Sequence, residues 1–227
     1  MQPGSGSPGL PEAPSESSRE DSARPADSAE PPAATATRIG ILPTVLAFEA
    51  VVLALAFLLA YLLDVPLFRS LRVTWEAIGI AAGATLPLVL LGSWSLRSRS
   101  RIFVKLRQTV FEAVVPLFAG SSTGTLLAVS LAAGVAEEAL FRGVAQTALA
   151  GALGQGTALA TTSALFGLAH PVSALYVLFV GAIGAYLGGL FIATGNLLVP
   201  IVVHAAYDFV GLKLLLRAAS RYGDRIG

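Results

Sequence analysis

Between residues 122 and 212 the chain carries only four formally charged side chains, Glu137, Glu138, Arg142 and Asp208, in an otherwise apolar stretch. A helix that crosses a bilayer needs roughly 20 predominantly apolar residues, and this stretch supplies several in succession. The composition of the 227 residues agrees: 55% are hydrophobic and 13% charged, with a mean hydropathy of +0.74. An ordinary globular domain is about 25% charged, so an ordinary soluble enzyme is excluded. A net charge of +1 gives no basis for binding nucleic acid, which needs a strong basic field. The absence of cysteine excludes disulfides, cysteine-ligated zinc and a thiol nucleophile.

The apolar runs predict an all-α, polytopic transmembrane helix bundle of about six spans. They run from Ile39 to Leu63, Trp75 to Trp94, Leu117 to Ala150, Thr157 to His170, Val172 to Ala193 and Leu197 to Leu216. The third is long for one crossing, so a tilt or an interfacial turn is expected at its start. The fourth is short, with Pro171 as its natural stop. Four divisions follow: a segment over 1–37, two spans and a basic loop over 38–115, a four-span core over 116–217, and a short basic tail over 218–227. The first is rich in Pro, Ser, Ala and acids (Glu12, Glu16, Glu20, Asp21, Asp27, Glu30). Too little of it is apolar to offset the entropy of ordering, so it is read as disordered. It lacks the basic start and short apolar core of a secretory signal.

Basic residues set the expected orientation. Arg97, Arg99, Arg101, Lys105 and Arg107 follow the second span, and Arg217, Arg221 and Arg225 follow the last. Only Arg69 and Arg72 fall on the other side. Short loops rich in Lys and Arg stay cytoplasmic, so both termini are placed there, with the basic loop oriented towards lipid head groups. In the fifth span Gly184 and Gly188 give a small-xxx-small spacing, read as packing between helices of this chain. A composition rich in Ala, Leu and Gly, with one Met, suggests a bacterial source and a plasma-membrane location.

The chain's two histidines, His170 and His204, lie in the same apolar stretch as the four charges. Ionisable groups in a bilayer core are costly and by default mark a functional site. Glu138 and Arg142 stand at i, i+4, one above the other on a helix face, as an ion pair would require. Glu137 points about 100° away and is the carboxylate left free for chemistry. Phe166 and His170, and again His204 and Asp208, are further i, i+4 pairs. At 1.5 Å per residue Glu137, His170 and His204 can meet at similar depth. A glutamate and two histidines can activate water, directly or by holding a metal. Glu49, alone in the first span, is given no role.

These residues carry a family resemblance. Glu137-Glu138-Ala-Leu-Phe-Arg142 resembles an EExxxR motif, Phe166-Gly-Leu-Ala-His170 an FxxxH motif and His204-Ala-Ala-Tyr-Asp208 an HxxxN/D motif. In this order, each within an apolar span, they resemble the CPBP family of intramembrane proteases, which includes type II CAAX prenyl endopeptidases and abortive-infection proteins. The resemblance covers about residues 115–212. It implies hydrolysis of a peptide bond in a membrane-associated substrate, prenylated CAAX-type or leader-bearing. Glu137 and His170 would activate the water. His204 and Asp208 would stabilise the oxyanion or complete the site, and Glu138, Arg142 and Phe166 would support it. Relatives often carry Asn at the position of Asp208. An ionised Asp would repel an oxyanion, so Asp208 is protonated, orients His204 or binds metal. The cofactor stays open between none and a divalent metal such as zinc held by His170, His204 and Glu137, with the lean towards none. The expected partners are lipid and a peptide substrate. The competing readings are a non-catalytic immunity or scaffold protein binding peptides at the same polar site, and a small transporter with a carboxylate proton relay.

Overall fold

In a computed structural model, residues 33–223 are described. They form helices α1 (Ala33–Leu62), α2 (Trp75–Arg97), α3 (Arg101–Phe118), α4 (Thr123–Glu138), α5 (Thr147–Leu153), α6 (Gln155–Leu168), α7 (Ala174–Thr194) and α8 (Leu198–Gly223). A π-helical segment, Ala139–Gln146, joins α4 to α5 without a break. Most of the segment read as disordered lies outside the described residues, and so do residues 224–227.

Local chemistry sets the ends. Thr74, Ser122 and Ser173 each accept a hydrogen bond from a backbone N–H of the turn they open, at 3.0–3.2 Å. Each satisfies one of the orphan donors of a helix start. Gly195 closes α7 with φ of 56°, the left-handed conformation that glycine adopts without penalty. Gly154, at φ of 82°, turns the chain from α5 into α6.

Five segments are long and apolar enough to cross a membrane: Ile41–Leu62, Trp75–Arg97, Thr123–Leu153, Ala174–Thr194 and Leu198–Arg221. The chain is an integral membrane helix bundle, and the expected six spans become five of full length. The expected fourth is α6, whose 14 residues reach only about 21 Å, less than the roughly 30 Å of a bilayer's apolar core. It packs along α7 instead. The third expected segment divides, with its start at the end of α3 and the rest forming one 31-residue crossing.

The expected basic loop is largely helical. Leu106 of α3 is buried, and Trp94 meets Phe103 edge-on at 4.7 Å between ring centres. The Arg107 guanidinium donates to the carbonyls of Ser95, Leu96 and Ser98 at 3.1–3.3 Å. A cation at the carbonyl end of a helix is favourable, and here it fastens α3 to the end of α2. At the other end of the bundle Asn196 clasps Arg72. Its amide donates to the Arg72 carbonyl at 2.8 Å and its Oδ1 accepts from the Arg72 N–H at 3.0 Å.

The glycines of α7 pack within the chain, as their spacing predicts. A Cβ at Gly184 would meet Phe166 and Arg142 at 3.1–3.3 Å, and one at Gly188 would meet Gln146 and Leu159 at 2.6 Å. Gly181 lies against the backbone of Ser163 and Gly167. These absences of side chain let α6 and the π-helical segment approach α7 closely.

Candidate active site

The polar residues of the three motifs meet between α4, α6 and α8. Glu138 and Arg142 are among the most buried side chains, at 0% and 1% exposure. The expected ion pair is present, with Arg142 Nη1 donating to Glu138 Oε1 at 2.7 Å. Arg142 Nη2 donates to the Gly184 carbonyl at 2.7 Å. Its guanidinium carbon lies 4.4 Å from the centre of the Phe166 ring, within cation–π range. The π-helical turn starts directly after Glu138; such turns are rare and are often found at functional sites.

Glu138 has a second partner that helical spacing does not reveal. His204 Nδ1 lies 2.8 Å from Glu138 Oε1, so a carboxylate that can only accept holds the proton on Nδ1. The other ring nitrogen, Nε2, lies 3.4 Å from Asp208 Oδ2. Glu138 thus ties the π-helical segment, through Arg142, to α8, through His204. Removing any of the three would strand a buried polar partner.

His170 is oriented differently. Its Nδ1 lies 2.8 Å from the Phe166 carbonyl oxygen. A carbonyl cannot donate, so Nδ1 carries the proton and Nε2 keeps a lone pair when the ring is neutral. That Nε2 lies 3.7 Å from Glu137 Oε2, beyond a direct hydrogen bond. Glu137 Oε2 is buried and has no hydrogen-bond partner within the described residues. The spacing suits one water shared by carboxylate and imidazole. Phe166 forms the floor between the two histidines, its ring centre 5.1 Å from His170 and 5.9 Å from His204.

The set His170, His204 and Glu137 does not fit a metal. Both nitrogens of His204 face other partners, Glu138 and Asp208. Among the described residues no three His, Cys, Asp or Glu side chains are grouped to hold an ion. His204 therefore has no nitrogen to spare as the third zinc ligand.

Two neighbours of the site escaped the sequence reading. A cavity of about 170 Å³, lined by Leu88, Phe103, Phe179 and Tyr207 among others, reaches Asp208 and Tyr176. The site thus opens into an apolar space walled in part by α2 and α3. The other is Glu49. It is 6% exposed and interacts electrostatically with Glu137, His204 and Asp208. The signal was available: on α1 the residues Leu42, Val45, Leu53, Ala56 and Ala60 recur on one helical stripe, all packed inward, and Glu49 lies on it.

Residues 119–210 match the family model of the Rce1-like type II CAAX prenyl endopeptidases. The match spans all three motifs and bears out the CPBP resemblance. No curated protein and no solved structure matches the chain.

Proposed function

We propose, on the premise of that family match over residues 119–210, that the chain is an intramembrane endopeptidase using water activated between Glu137 and His170. The observation that carries this reading is their arrangement. A buried carboxylate oxygen without a partner faces, at 3.7 Å, an imidazole nitrogen whose tautomer is fixed from behind. A water between them has its proton drawn by Glu137 and its oxygen aligned by His170.

Attack on the scissile carbonyl forms the new C–O bond and passes a proton to Glu137. The developing oxyanion falls to His204 in its doubly protonated form, with Nδ1–H held by Glu138 and Nε2–H, 3.4 Å from Asp208, donating to the oxygen. As the C–N bond breaks, Glu137 returns its proton to the leaving amine. Glu138, Arg142 and Phe166 hold the frame. Preorganised donors of this kind supply much of the rate in acyl transfer.

The substrate is a membrane-associated peptide, prenylated CAAX-type or leader-bearing. The apolar cavity beside Asp208 is compatible with either. A bacterial plasma membrane with both termini cytoplasmic is the setting proposed from the basic flanks. The test compares membranes carrying wild type with membranes carrying Glu137→Ala at matched expression, reading new peptide termini by mass spectrometry. Termini present only with wild type are expected. Identical termini in both would favour a protein that binds peptides at this site without cutting them.

A further inference from the structure

The family match covers residues 119–210, and all the groups given roles above lie within it. Glu49 lies outside, in the first span. A carboxylate with 6% exposure, one of whose oxygens is buried without a hydrogen-bond partner, is a costly feature unless something uses it.

Its level in the bundle is fixed by its neighbours. One turn before it, Val45 packs in the cluster that holds Val129 of α4 and Phe209 of α8. One turn after it, Leu53 packs in the cluster that holds Ala139 and Ile201. Glu49 therefore stands beside the stretches of α4 and α8 that carry Glu137, His204 and Asp208. Its electrostatic interactions are with those same three groups.

We propose that Glu49 is a positioning residue of the candidate active site, brought in by the first span to support the His204–Asp208 pair electrostatically. The inference rests on the protease reading above. It makes the first span part of the working site rather than a membrane anchor appended to it. The charged groups around Glu49 are Glu137 of α4 and Asp208 of α8, with His204 the one of its three partners able to carry positive charge. Glu49 thus acts through His204 and does not itself touch the reacting atoms.

The test is a comparison of E49Q and E49M in the full-length protein reconstituted in lipid vesicles. It uses a cleaved peptide found by the termini experiment, with E137Q as control. Methionine has about the length of glutamate and suits an apolar helix stripe, so a role in packing alone would survive that change. The expected result is a fall in kcat of about tenfold or more for both variants, the order seen when an outer partner of a functional histidine is removed. KM should stay near wild type and the melting temperature should be unchanged or raised. In an H204A background, E49Q should then cost little more.

Wild-type kcat in E49M and E49Q would overturn the proposal. So would a loss of kcat accompanied by a lower melting temperature in both, which marks a structural role. A full further loss in the H204A background would also overturn it. Wild type and E137Q cleaving alike is a separate result that sinks the protease reading itself.

Discussion

Gly167→Ala adds one methyl group at the point where the candidate site depends most on helix contact. Gly167 lies on α6 between Phe166 and His170, facing α7. A Cβ there would fall on the Val177 carbonyl oxygen, closer than the 3.0 Å that real Cβ contacts respect, and 3.1 Å from the Cα and N of Gly181. Backbone atoms cannot rotate aside, so the helices must part. Recovering an ordinary contact of 3.4 Å requires α6 to withdraw by roughly half to one ångström, and overpacking of this kind costs about 1–3 kcal/mol. His170 follows less than one turn later and moves with α6. Its placement against Glu137, 3.7 Å away, then changes, and a water held by both is carried off the line of attack. A misplacement of about 1 Å can cost on the order of a hundredfold in rate. The assay is peptide cleavage by the protein in vesicles, alongside thermal unfolding to show that it is still folded. Gly189→Ala is the control, because a Cβ there meets nothing within 4 Å; it should cleave like wild type. G167A cleaving at the wild-type rate would refute the reasoning, since the close approach would then not be what positions His170.

Three further outcomes follow from the same geometry. Arg142→Met leaves Glu138 buried with one partner, so it should lower unfolding stability by about 3–5 kcal/mol; adding Glu138→Gln should recover part of that loss, which chemical or thermal unfolding of the two variants would show. Asp208→Asn keeps a side chain of the same shape 3.4 Å from His204 Nε2 and should retain most activity, whereas Asp208→Ala should lose on the order of a hundredfold, measured as kcat on a common peptide. Because both nitrogens of His204 face other groups, cleavage should persist after treatment with a strong chelator. A loss restored by added zinc would show that the donor set rearranges to hold an ion.

Much of the fold was legible because its main signal is local. Runs of apolar residues of bilayer length, separated by Gly, Pro and charged turns, need no knowledge of tertiary contacts to be read as helices. The misjudged segments are those where length or amphipathicity competes with hydropathy. The run from Thr157 to His170 is apolar, but α6 is too short to cross alone. The basic segment after α2 looks like a loop by charge, yet Leu106 on its apolar side draws it into a helix against the bundle. Within the candidate site, pairs at i, i+4 were visible, and the Glu138–Arg142 ion pair is formed at 2.7 Å. The bond from His204 to Glu138 joins residues 66 apart, and no periodicity encodes which carboxylate a distant histidine meets. Glu49 was passed over because it was considered as a charge alone and not as a member of a helix stripe. Reading every intramembrane charge against the apolar face of its own helix would have placed it inward.

The central claim is that Glu137 and His170 act on one water. Its most direct test is a double-mutant cycle in vesicles, comparing E137Q, H170A and the double variant on one peptide at matched folded concentration. Residues that work as a unit are strongly non-additive. The account predicts that each single variant loses nearly all cleavage above the uncatalysed rate and that the double variant loses no more than either. Losses that multiply, or substantial cleavage by E137Q, would show two independent contributions and contradict the shared water.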